Sequence, residues 1–338
     1  MEQSVANDQE AAARDFGDVR AEFGALISGC GLYALSERAK IALKGSDRAR
    51  WLNGMITNNI RDLPAGRGVY GFVLNPQGHI LGDLYAYNRG DSLLVDTGQE
   101  QSAKLLELFE RYIIMDDVEV ADVSGRFAAL GIAGPRSREV LRALGFDVPD
   151  LEALQFSDIA WREVPATLVR GEWLKQESYE IWVGPENAGR VRDALKQSGA
   201  TQVGTAAFEL YRVALGIPRY GVDIRERDLP QETGQGRALN FTKGCYVGQE
   251  IVERIRSRGS VHRLFKGFVA NGPLPAPGSK IQSEGKEVGE VTSSACLPLK
   301  NGELRVSLGY VRREAAEKPL QAAGAALVAS ETPFPGVS

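Results

Sequence analysis

The segment from Gly68 to Thr97, "GVYGFVLNPQGHILGDLYAYNRGDSLLVDT", constrains the fold more than any other. Three apolar runs are separated only by "NPQG" and "NRGD", which are turn signals. Connections so short can join only antiparallel strands, because a parallel crossover needs a dozen or more residues. A helix follows in "QSAKLLELFERYI", with Leu105, Leu108, Phe109 and Tyr112 at helical spacing. Upstream, Asp47 is placed to cap a helix bearing Trp51, Leu52 and Met55.

The pattern then restarts. "RFAALGIAG" reads as a strand, "PRSREVLRALG" as a helix ending at Gly145, "ATLVRG" and "YEIWVG" as strands, and "ENAGRVRDALKQSG" as a helix stopped by Gly199. The order β-α-β-β-α is that of a ferredoxin-like unit. "TAAFELYRVALGIP" predicts one more helix, closed by Gly216 and Pro218. Beyond His262, short alternating segments between Gly and Pro turns predict a small antiparallel barrel. The expected division is a tail over 1–24, an α+β domain over 25–122, a second over 123–261, the barrel over 262–330 and a tail over 331–338, expected to lack order.

Length and charge bound the function. A chain of 338 residues accommodates two or three domains, and a formal net charge of −4 argues against wholesale electrostatic binding of nucleic acid. Three scattered cysteines, Cys30, Cys245 and Cys296, fit a reducing compartment and no disulfide framework. Two distant histidines, His79 and His262, do not supply a zinc site. The acidic first residues, read as a loose tail or a surface helix, lack the basic and apolar regions of a leader, and no apolar run is long enough to span a membrane. A cytoplasmic monomer is expected. Gly66, Gly68 and Gly71 match a dinucleotide fingerprint on paper, but they enter a strand rather than a helix, so that reading is set aside.

Two places carry candidate chemistry. Asp83 interrupts an apolar strand, on the same face as Leu81, Tyr85 and Tyr87. It is either an outward carboxylate or, with the tyrosines, the lining of a ligand cleft. The second place is "KGCYVGQEIVERIRSRG", Lys243 to Gly259. Ile251, Val252 and Ile255 repeat at helical spacing and Gly259 is a stop, so a glycine-bounded loop feeds a helix starting near Gly248. Cys245 then lies close to a helix N-terminus with Lys243 beside it, features that favour a thiolate. Gly244 and Gly248 would let a ligand approach, and Gln249 and Glu250 could hold the loop. The competing reading is a tight turn whose cysteine is merely packed. A basic run, Arg254, Arg256, Arg258, Arg263 and Lys266, suggests RNA only weakly, since Arg254 and Arg258 share a helix face while Arg256 does not.

The cysteine segment resembles the signature of the YgfZ family, folate-binding proteins of iron–sulfur protein maturation. That family is related in fold to the T-protein of the glycine cleavage system, a tetrahydrofolate-dependent aminomethyltransferase. "WLNGMITNNIRDLPAG", with Thr57, Asn58 and Asn59, "NPQGHILGDLYAY", "YRVALGIPRYGVDIRERDLPQE", "VGEVTSSA" and "SLGYVRRE" are also similar, so the resemblance spans residues 25 to 330. It implies a T-protein-like α+β fold, with two ferredoxin-like domains around a folate cleft and a C-terminal antiparallel barrel. It implies a tetrahydrofolate or one-carbon-substituted folate cofactor, with Asp83, Tyr85, Gln176, Glu177, Arg212, Tyr246 and Gln249 as contacts, and Cys245, Lys243 and Asp83 as reactive groups. Gly82 falls where the T-protein has one acid of a pair, and Gln176 where it has a pterin-binding glutamate. The implied function is an accessory role in iron–sulfur cluster assembly or repair, serving client enzymes that include modifiers of tRNA, with iron–sulfur clients or assembly proteins as partners. The alternative is aminomethyl or one-carbon transfer.

Overall fold

The computed structural model describes residues 13–172, 177–259 and 261–337. The chain divides into two compact units, one of Met1–Gly54, Asn59–Gly71 and Leu84–Phe208, the other of Met55–Asn58, Phe72–Asp83 and Glu209–Ser338.

The first unit contains a six-stranded sheet in the order Thr201–Gln202, Gly31–Ala34, Ala128–Ala133, Ser178–Val183, Val164–Arg170, Phe156–Trp161. Only the Gly31–Ala34 and Thr201–Gln202 pairing is parallel. Apolar residues from these strands and from the helices Ser137–Leu144 and Pro185–Gln197 form one core around Ile132, Trp161, Leu168 and Ile181. The expected β-α-β-β-α order gains a strand, Phe156–Trp161, because "FSDIAW" buries only its two end residues. A five-stranded sheet runs Arg67–Leu74, Ile80–Asn88, Leu93–Gly98, Arg38–Lys44, Glu119–Asp122, so the antiparallel reading of the opening segment holds.

The strand Arg38–Lys44 escaped the sequence because Lys40 is buried in it. Its ammonium lies 2.7 Å from Asp96 and 4.2 Å from the centre of the Trp182 ring. Asp47 sits just before the helix Arg48–Met55, but its carboxylate accepts from the Asp117 N–H at 3.0 Å and reaches Arg50 instead of capping. Gly66 and Gly68 lead into a strand, as the sequence suggested, and a Cβ on Gly68 would stand 2.5 Å from the Tyr87 ring.

In the second unit six strands close into a barrel, in the order Arg263–Asn271, Gly302–Arg312, Lys286–Leu299, Lys280–Ser283, Leu320–Ala322, Ala325–Ser330. Closure removes the free edges that make open sheets aggregate. Phe268, Ile281, Val291, Val311 and Leu327 fill the interior. The final residues, expected to lack order, are packed: Phe334 and Val337 are buried, and the Phe334 N–H donates to the Ala214 carbonyl. Of the N-terminal tail, residues 1–12 lie outside the described residues, and Val19–Ser28 is a helix capped by Asp18. Among the described residues, no helix is long and apolar enough to cross a membrane.

Candidate functional site

The loop that ends in Cys245 is built from side chains bonding to backbone. Asn240 Oδ1 accepts from the N–H groups of Thr242 and Lys243, each at 2.9 Å, which folds the chain back on itself. The Asn240 N–H donates to the Thr57 carbonyl, the Thr57 hydroxyl to the Ala238 carbonyl and the Asn58 amide to the Arg237 carbonyl. The Thr57–Asn58 segment is thereby stitched to residues 237–240 of the same unit. Lys243 completes the seam, donating to the carbonyls of Ile56 at 2.6 Å and Asn58 at 2.8 Å.

That geometry redefines Lys243. The ammonium is turned toward two carbonyl oxygens and the face of the Tyr246 ring, 4.8 Å from its centre, rather than serving chiefly as a countercharge for its neighbour Cys245. Burial pushes the amine down to about 7, while the carbonyls and the ring face favour its charged form. Tyr246 is buried, which pushes its phenol up to about 12. Its ring therefore packs under Lys243 rather than standing open to stack on a ligand.

The helix Gln249–Arg258 starts and stops as its sequence indicates, with Gly248 and Gly259 both left-handed. Gln249 closes the entrance reciprocally: its side-chain oxygen accepts from the Tyr246 N–H and its own N–H donates to the Tyr246 carbonyl, both at 3.2 Å. The two glycines differ. A Cβ on Gly244 would meet nothing within 4 Å, so that position is open. A Cβ on Gly248 would stand 2.6 Å from the Asn75 carbonyl oxygen, so Gly248 serves chain packing and not ligand approach. Between them the Cys245 side chain is exposed. The basic run is largely answered on its own helix, Arg254 by Glu250 at 2.8 Å and Arg256 by Glu253 at 3.5 Å.

The remaining candidates lie elsewhere. Asp83 is half-buried on Ile80–Asn88, as is Tyr85 two residues on, whereas Tyr87 is buried in a cluster with Phe156 and Trp182. The Tyr85 hydroxyl donates to Glu172 at 3.2 Å, and Arg38 lies 5.5 Å from its ring centre. Glu177 is 3.8 Å from Arg138 and 3.9 Å from Arg170. Gln176 lies outside the described residues.

Arg212 does not present its guanidinium to a ligand. All five N–H donors are engaged: by Glu209 twice, by the Ile217 carbonyl, by Asp223 at 2.7 Å and by Ser293 at 2.8 Å. Asp223 in turn accepts from the hydroxyls of Thr292 and Ser293. Successive strand residues normally face opposite ways. A register shift between Val291 and Ser293 lets both hydroxyls reach one carboxylate. The cluster is a buried junction between the helix Thr205–Leu215 and the barrel.

Sequence reasoning missed the partners of Lys243, because backbone carbonyls carry no residue signature. The only available pointer was the "ITNN" stretch around Thr57.

Residues 6–243 match the family model of the GCVT N-terminal domain, and residues 261–334 that of the CAF17 C-terminal beta-barrel domain. A chloroplastic protein of Arabidopsis thaliana that carries a transferase name is 26% identical over 284 residues, 83% of this chain and 65% of that protein. The chain thus spans less than two thirds of that relative's length. An aminomethyltransferase of Streptomyces coelicolor is 29% identical over 336 residues, covering 94% of this chain and 88% of that one. Among solved structures, the glycine cleavage system aminomethyltransferase T from Bartonella henselae superposes with a TM-score of 0.86 at 20% identity, covering 98% of this chain and 97% of the other. The chain has that T-protein fold, with mixed α+β sheets and a closed C-terminal barrel.

Proposed function

The chain belongs to the family of the GCVT N-terminal domain and carries a CAF17 C-terminal beta-barrel domain, and on that premise we propose that it is a tetrahydrofolate-binding accessory protein for iron–sulfur cluster assembly or repair. The observation that carries this reading is the exposed Cys245 beside the open Gly244, on a loop otherwise pinned by side chain to backbone bonds. A merely structural cysteine would be packed. This thiol is presented, and the rigidity of its surroundings sets where it is presented. The resemblance of the loop and its helix to the YgfZ-type signature supports this reading, in which Cys245 is the reactive group and Lys243 and Gln249 hold the loop that carries it.

For the folate, Asp83 offers a half-buried carboxylate to the N–H edge of a pterin, and Tyr85 a half-buried ring for stacking. Glu177 is a further carboxylate candidate. Arg212 is withdrawn from this set, since its donors are used, and Tyr246 and Gln249 act by shaping the loop. In this reading the protein acts in the cytoplasm and serves iron–sulfur enzymes, among them those that modify tRNA.

A second reading, aminomethyl transfer to tetrahydrofolate, is favoured by the names of the relatives. Against it stands Gly82, where the T-protein resemblance expects an acid. Titration calorimetry with tetrahydrofolate and its 5-formyl derivative tests the shared premise: heat and a rise in melting temperature are expected, and neither at millimolar ligand refutes folate binding. An assay with aminomethylated lipoyl carrier protein separates the readings. Little turnover is expected; turnover matching a T-protein promotes the second.

A further inference from the structure

A cleft of about 880 Å³ lies within the second unit, against the barrel strands and the segment around Arg225 to Asp228. Its cationic side chains outnumber its carboxylates, and they are unequally engaged. Arg263 is held by Asp228 at 2.8 Å and Glu232 at 2.7 Å, and Arg225 by Glu290 at 2.8 Å. Arg227 and Arg312 are not held in this way. Arg227 comes no closer than 4.0 Å to Glu290, Arg312 no closer than 3.9 Å to Glu314, and their side chains are 62% and 61% exposed. Each guanidinium carries five donors, so most of theirs have no protein acceptor among the described residues.

The second observation is Tyr310, which also lines the cleft. It is 5% exposed, its ring lies 4.8 Å from the Arg263 guanidinium carbon, and its buried hydroxyl has no hydrogen-bond partner among the described residues. A buried hydroxyl without a partner is costly, and native structures usually resolve it with a bound group. Asp228 accepts from Arg263 and from the Arg225 N–H, so the nearby carboxylate already has its donors.

We propose that this cleft binds a small polyanion, with Arg227 and Arg312 pairing with its oxyanion groups and the Tyr310 hydroxyl donating to one of its oxygens. Arginine forks match both carboxylate and phosphate geometry, so the recognised chemistry is a row of oxyanions, carried either by an oligocarboxylate or by an oligophosphate. The residues named here share none with the folate candidates.

Calorimetry of the full chain at moderate ionic strength, with tripolyphosphate and separately with tri-γ-glutamate, tests it. Saturable one-site binding of at least one probe is expected, and the tighter probe identifies the source. Arg227→Ala with Arg312→Ala should weaken binding at least tenfold. Tyr310→Phe removes no charge and no protein hydrogen bond, so it should fold at least as stably as wild type while weakening binding several-fold. Loss of affinity in that variant separates a built site from diffuse positive charge. Absence of binding by both probes, or affinity unchanged by Tyr310→Phe and by the double alanine variant, would overturn the proposal.

Discussion

Arg212 and Lys243 are two cations of the second unit, each held by several oxygens, and they do opposite things. Arg212 is answered by two carboxylates, a hydroxyl and a carbonyl, in a site almost closed to water. Such a saturated charge fixes a helix on a barrel and has nothing left for a ligand. Lys243 is held by two carbonyl oxygens and a ring face, with Gly244 open beside it and Cys245 exposed next along the chain. The number of polar partners therefore says little about function. What separates the two regions is whether any group is left over once the local bonds are made.

The sharpest test of the saturated region is Asp223→Ala. It leaves the Arg212 charge buried with its fully buried carboxylate partner gone and takes that carboxylate away from the Thr292 and Ser293 hydroxyls. A loss of about 3–5 kcal/mol is expected in chemical denaturation, as for other buried pairs broken from one side. A loss below about 1 kcal/mol would mean that the junction is loose. Next in size is Gly248→Ala, which forces a side chain into a left-handed residue and against the Asn75 carbonyl. It should cost about 1–3 kcal/mol, whereas Gly244→Ala, with open space around it, should stay within about 0.5 kcal/mol. Equal costs at the two glycines would erase the distinction drawn between packing and access.

A pH experiment probes Lys243 itself. Burial lowers its folded value to about 7, below the ordinary 10.5 of the unfolded chain. Between those limits the unfolded state binds more protons, so stability should rise with pH from about 7 toward 10. Compared with Lys243→Met, which lacks the titration, the gain should be on the order of 1 kcal/mol, because the carbonyls and the Tyr246 ring partly sustain the ammonium. A flat difference between the two proteins would place Lys243 in water, and one that falls with pH would mean that its partners outweigh burial and hold it charged.

The sequence was legible where one residue type decides local geometry. The short turns after Leu74 and Asn88 forced antiparallel strands, Gly145 and Gly259 stopped helices, and the Gly and Pro spacing beyond His262 signalled a barrel. It was illegible where tertiary pairing overrides local pattern. Lys40 hid a strand because its charge is answered by Asp96, distant in sequence. The final residues hid their packing because Phe334 finds its partners far back in the chain. At the candidate site the helix start and its glycines were readable. The direction of Lys243 and the saturation of Arg212 were not, because carbonyl partners and a strand bulge leave no residue pattern.

The most direct measurement compares wild type, Cys245→Ala and Cys245→Ser in cells lacking the protein, scoring the activity of a radical iron–sulfur enzyme at matched abundance and melting temperature. Cys245 is exposed, so both variants should fold within about 0.5 kcal/mol of wild type. Neither variant is expected to restore enzyme activity if the thiol itself is the functional group, as proposed. Full restoration by the alanine variant would contradict it and return Cys245 to an ordinary surface position.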